Sequence, residues 1–266
     1  QGLAEYFRSI NGYDILERLP LLYLEGEGSR KVRYDFWRTI TRRFIEAYTI
    51  PYSERCEALG LKMTGHYLAE DNLIYQVRVI GAAMPHYEYM QFPGVDHLGR
   101  NIRNPLTLKQ CSSVAHQLGR VRVLSELFGC SGHSMTFEDQ KWIADFHFAL
   151  GITFLCPHLT LYTMKGDAKR DYPPTFSYHQ PYWEYFKLIN DYFARASYIC
   201  SQGRFQTEIL VLHPIGSAWA TFDPYSEKPD PDLWSYNEAL IKLQGILLGL
   251  HQDFDYGDEI IISKYG

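Results

Sequence analysis

The sequence predicts an α/β fold with parallel strands: the C-terminal part of a (β/α)8 barrel, followed by the start of a second α/β domain. Three observations carry this. Strand candidates begin near residues 61, 87, 121 and 152 and alternate with helical stretches at a repeat of roughly 30 residues. Each strand candidate runs straight into polar, chemistry-bearing residues, as the strands of a barrel do on its catalytic face. From Glu208 the rhythm changes to strand, long polar loop, helix and strand.

The elements follow in order. Trp37, Ile40, Thr41, Phe44 and Tyr48 recur at helical spacing and predict a helix from Val32 to about Tyr48. A second helical piece, 52–59, stops at Gly60, a residue suited to the left-handed end of a helix. Leu61–Tyr67 is the first strand candidate and Tyr87–Gln91 the next, closed by Phe92-Pro93-Gly94 as a turn. Leu108, Cys111, Ala115 and Leu118 line one face of a helix that ends at Gly119, and the strand Val121–Glu126 follows at once. Thr136 and Asp139 have capping-box spacing for a helix to Leu150. Gly151 stops that helix and Ile152–Cys156 is a strand; a helix over Tyr182–Ser201 comes next. Glu208–His213 reads as a strand, 236–250 as a helix and Glu259–Ser263 as a closing strand. The expected division is therefore 1–203 as a partial barrel and 204–266 as the beginning of a second domain. A closed barrel has eight strands and about five are found, so the remaining ones are expected upstream of Gln1. Both ends are expected to be cut from a longer chain, since Gln1 is no initiator and Gly266 follows an apolar run.

Composition narrows the function. The chain has 266 residues with a net charge of −5, so no basic excess supports a nucleic-acid partner. Hydrophobic residues at 46% with charged residues at 21% fit a globular protein rather than disorder. No run of roughly 18 apolar residues predicts a membrane span. Aromatic residues reach 15%, a content that suits half-apolar, half-wet surfaces such as sugar clefts or protein interfaces. The five cysteines form no CxxC pair, and buried free thiols are expected.

The candidate chemistry lies at the strand ends. Glu126 closes an apolar strand, so its carboxylate is desolvated on one side and open to a cleft on the other, which suits a general acid. The competing reading pairs it with Arg122 at the barrel rim. Glu70 follows another strand, and Glu70-Asp71 reads equally as a solvated helix start. Together Glu70 and Glu126 make the pair of carboxylates that glycoside hydrolysis requires, one protonating the leaving oxygen and one attacking or activating water. His66, Asp96, His116, His158 and His179 fall near strand ends or top loops. With no HExxH or His-x-His pair, hydrogen bonding to sugar hydroxyls is favoured over zinc. Tyr162 and the long loop with Arg170 and Asp171, stiffened by Pro173-Pro174 and leading to Trp183, are further substrate-binding candidates. No GxSxG elbow or glycine-rich phosphate loop is present.

An ordered series of motifs now stands out: Tyr34-Asp35-Phe36-Trp37, Thr64-Gly65-His66, Phe92-Pro93-Gly94-Val95-Asp96, Ser112-Ser113-Val114-Ala115-His116-Gln117 and Leu124-Ser125-Glu126-Leu127-Phe128-Gly129. It continues through Pro157-His158, Lys169–Pro174, His179–Trp183 and Leu210–Pro214. The series resembles large bacterial glycoside hydrolases akin to the α-L-rhamnosidases of family 106. The resemblance implies that Glu70 and Glu126 are the catalytic carboxylates, acting on an oligosaccharide or polysaccharide. It also implies that Leu210–Pro214 opens a domain like the β-galactosidase trimerisation domain, with Phe254–Glu259 inside it. Inversion, a periplasmic or extracellular location and a calcium ion near the site are implied as well. No calcium ligand set is matched residue by residue, and no other cofactor is expected. The alternatives are a carbohydrate-binding relative without catalysis, and an interaction or scaffold protein whose aromatics form an interface.

Overall fold

The computed structural model describes residues 2–102, 104–170, 172, 174–225 and 230–266. In chain order these form α1 (Leu3–Asn11), α2 (Ser29–Phe44), α3 (Ile50–Ala58), β1 (Thr64–Gly65), α4 (Leu73–Val79), α5 (Met84–Tyr87), β2 (Phe92–His97) and α6 (Leu106–Gln117). Then come β3 (Leu124–Leu127), α7 (Phe137–Ala149), β4 (Phe154–Pro157), α8 (Phe186–Cys200), β5 (Leu210–Leu212), α9 (Ile215–Thr221), α10 (Pro231–Gly249), β6 (Asp255–Gly257) and α11 (Glu259–Tyr265). The fold is α/β with parallel strands. Two compact units share the chain, one built from 1–61, 67–89 and 206–266, the other from 62–66 and 90–205. The chain returns from the second unit to the first between Phe205 and Gln206.

The second unit is a four-stranded parallel sheet in the order β1-β2-β3-β4. Asp96 on β2, Glu126 on β3 and Cys156 on β4 stand side by side in register. Along β3 the period of two sends Ser125 and Leu127 into the interior and leaves Leu124 and Glu126 partly exposed. Leu127 belongs to a core with Phe128, Ile143, Phe148, Phe176, Ile189 and Phe193, which seats α7 and α8. Thr136 and Asp139 close the expected capping box at the start of α7, each side chain accepting from the other's backbone N–H. Gly94 sets the distance between β1 and β2: a Cβ there would lie 2.6 Å from the Gly65 carbonyl oxygen.

The first unit buries Trp219 of α9 completely, and its indole N–H donates to Gly81 O at 2.7 Å. Asn237 on α10 accepts from the backbone N–H of Leu73 at 3.1 Å. A separate parallel pair, β5 and β6, lies in this unit. Phe7, Ile15, Leu22 and Val32 form a smaller core under α1 and α2. Between α2 and α3 the helix widens into a π turn at Ile45–Thr49. Pro51 explains the position: it has no N–H for the carbonyl four residues back, and its ring would crowd that carbonyl.

Two expectations are corrected. Residues 87–91 are not a strand; α5 ends at Tyr87, and the strand is Phe92–His97, which includes the Pro-Gly read as a turn. Pro93 is tolerated close to the strand's start, where a missing N–H does least harm. Glu259–Ser263 is helical rather than extended, and the closing strand lies upstream at Asp255–Gly257. Asp258 decides this by accepting from the N–H groups of Ile260 and Ile261.

Candidate active site

Four predicted residues come together at the C-terminal ends of β1 to β4. His66 follows β1, Asp96 is on β2, Glu126 on β3, and His158 follows β4. His66 Nδ1 lies 3.8 Å from Asp96 Oδ1, and its Nε2 lies 3.7 Å from Glu126 Oε2. His158 Nε2 stands 3.6 Å from Glu126 Oε1. These separations are wider than hydrogen bonds, so the four groups are gathered but not locked together. Glu126 is about one-third exposed, whereas His158 is buried. One imidazole thus approaches each oxygen of a carboxylate that still reaches solvent.

The backbone around Glu126 is built for this. His158 N donates to Leu127 O at 2.6 Å, which fixes the turn that brings the ring back towards β3. A Cβ at Gly129 would lie 2.9 Å from the His158 ring, so only glycine leaves that space. Phe128 and Cys130, on either side of Gly129, take left-handed backbone at φ 76° and 61°. Such conformations cost of order 1–2 kcal/mol in a non-glycine residue and cluster at functional sites. Arg122, the competing partner for Glu126, instead donates to Thr153 O and Ser197 Oγ. Cys156 faces Glu126 from β4, and burial together with that carboxylate pushes its thiol pKa up.

Glu70 lies in the first unit and is buried. Its Oε1 accepts from the Tyr67 N–H at 2.7 Å and from the Tyr87 hydroxyl at 2.6 Å. Ala69, just before it, is another left-handed non-glycine residue at φ 66°. Both glutamates therefore sit within two residues of a strained backbone position. Nearby, Thr49 from the π turn bonds the Tyr67 hydroxyl and His86 Nδ1. Burial pushes the His86 pKa down to about 4.

The other predicted residues are placed elsewhere. His116 is on α6 and stacks on Phe205 at 4.1 Å. Arg170 pairs with Asp167 at 3.0 Å in an exposed turn. Tyr162, His179 and Trp183 line a groove after β4. Asp171 lies outside the described residues. Sequence reasoning missed Tyr87, Tyr172 and Gly129. Tyr172 meets the His158 ring edge-on at 6.1 Å. Tyr87 is 17 residues from Glu70, too far for any local pattern to connect them; the signal for Gly129 was its place three residues after a strand-end acid. Calcium takes about six to eight oxygen ligands. Among the described residues no group of three or more His, Cys, Asp or Glu side chains is arranged to hold a metal, so no step of the reaction is derived through one.

A family model described as alpha-L-rhamnosidase matches residues 1–241. A protein of Formosa agariphila named "Putative beta-glucuronidase" is 28% identical over 223 residues, covering 79% of this chain and 18% of that protein. The solved structure of a rhamnosidase from Novosphingobium sp. PP1Y superposes with a TM-score of 0.70 at 20% identity, over 96% of this chain and 24% of that one. The chain thus spans a quarter or less of the length of either relative.

Proposed function

This chain belongs to the alpha-L-rhamnosidase family of glycoside hydrolases, and on that premise we propose that it carries the catalytic centre of an α-L-rhamnosidase acting on oligosaccharide or polysaccharide. The observation that carries the reading is the Glu126 carboxylate at a parallel strand end, with an imidazole near each oxygen. Glu126 and Glu70 are the two carboxylates of the reaction, one giving a proton to the leaving oxygen and the other activating water. His66, between Asp96 and Glu126, orients Glu126. His158 stands 3.6 Å from the opposite oxygen. The finer architecture is proposed on the same footing, with 1–203 as the C-terminal part of a (β/α)8 barrel. The parallel pair β5–β6 supports a trimerisation-like domain opening at 204.

The test is Glu126→Gln and Glu70→Gln in the whole protein, assayed on an α-L-rhamnoside. Each should lower kcat about 10²- to 10⁴-fold with the circular dichroism spectrum kept. The variant lacking the acid should recover most on substrates with good leaving groups, and the other should be rescued by azide. A Glu126→Gln protein with activity within about twofold of the parent would falsify this assignment.

A further inference from the structure

After His158 the chain does not return directly to α8. Thr160 Oγ1 donates to Phe176 O at 2.9 Å and Leu161 N donates to Thr175 Oγ1 at 3.3 Å, which ties the outgoing and returning legs of a long loop together. Between them lies an open groove of about 690 Å³. Its floor is Phe176, which is buried, and its rim carries three exposed rings. Tyr162 is fully exposed, Tyr178 is 75% exposed with its ring 4.1 Å from His179, and Trp183 is 44% exposed and stacked on Phe186. Thr163, Ser177 and Lys165 add hydroxyls and an ammonium, and among the described residues no carboxylate side chain lines the groove.

Rings held open to solvent lose contact area that only a ligand restores. A pyranose offers what this lining lacks: an apolar face for stacking and an edge of hydroxyls for the polar groups. A lipid tail would leave the polar set unused. The groove also begins next to the candidate active site. Thr160 is two residues from His158, which spans at most about 7 Å of chain. An enzyme that removes a terminal sugar has only the leaving-group side left for the rest of its substrate.

We propose that this groove is a second carbohydrate subsite, holding the sugar unit on the leaving-group side of the bond that is cleaved. The inference rests on the glycosidase reading above and makes the enzyme one for sugar chains rather than for small aryl glycosides. The test compares Tyr162→Ala and Trp183→Ala with the parent, in the full chain, on two substrates: a trisaccharide ending in α-L-rhamnose and 4-nitrophenyl α-L-rhamnoside. Tyr162 has no packing to lose, so its variant reports on binding even if Trp183→Ala unfolds. Each variant should lower kcat/KM on the trisaccharide about tenfold more than on the aryl glycoside. Equal losses on both substrates, or none on either, would overturn the subsite. If the parent cleaves neither substrate, the glycosidase reading is what fails, and calorimetric titration with the trisaccharide decides the groove. Weaker binding in the variants then supports it, and unchanged or absent binding rejects it.

Discussion

Asp258 caps α11 while buried, and its Oδ2 finds no hydrogen-bond partner among the described residues. Burial raises its pKa from 3.8 to about 6. The folded chain therefore binds this proton more tightly than the unfolded one. Its stabilising contribution is complete below about pH 4 and is lost as pH rises through about 6. The interval between those values corresponds to roughly 3 kcal/mol. His147 and His213 work in the opposite sense: burial holds both near 3, so their contribution is present above about 6.5 and lost as pH falls. An Asp258→Asn variant keeps a capping oxygen without the charge. It is expected to be more stable than the parent at pH 7 by on the order of 1–3 kcal/mol, with the gap shrinking towards pH 4 in urea titrations. A gap independent of pH would show that Asp258 does not titrate in this window.

Among the elements, the sheet of the second unit depends on one missing side chain. A methyl at Gly94 would meet the backbone of Gly65, which cannot swing aside as a long side chain can. The residue after Gly65 is His66, so pushing β1 away also moves an imidazole from Glu126. Gly94→Ala is expected to lower kcat at least tenfold, although residue 94 carries no reactive group, and to cost roughly 1–3 kcal/mol of stability. A folded variant with full activity would show that β1 does not position His66. The helices were legible where local chemistry decides them, as with the capping box of α7. The strands were legible in number but less so in their limits. Phe92-Pro93-Gly94 looks like a turn by itself and becomes a strand because β1 and β3 flank it. The run of isoleucines after Asp258 favours a strand by propensity, yet a capping carboxylate starts a helix there. That His66, Asp96, Glu126 and His158 lie together at strand ends was legible, because polar residues follow each apolar strand run. The tyrosines that meet Glu70 and His158 were not, because only tertiary packing brings them there.

In the whole molecule, the two units differ in how the chain supplies them. The second needs only 62–66 and the continuous stretch 90–205. The first is completed by 206–266, through contacts such as Trp219 to Gly81 and Asn237 to Leu73, which span 138 and 164 residues. Contacts of such sequence separation are slow to form. In refolding, amides of β2, β3 and β4 are expected to gain protection from hydrogen exchange before the Trp219 indole is buried. Simultaneous protection would mean that the units fold as one.

On the ribosome the same arrangement becomes an order of events. The strands that carry Asp96 and Glu126 can pair while the last sixty or so residues are still being made. Glu70, although synthesised before either, sits in a unit that waits for the end of the chain. The nascent protein thus passes through a stage with one carboxylate in its final surroundings and the other not. If Glu70 and Glu126 act as the proposed pair, activity appears only after residues 206–266 have completed the first unit.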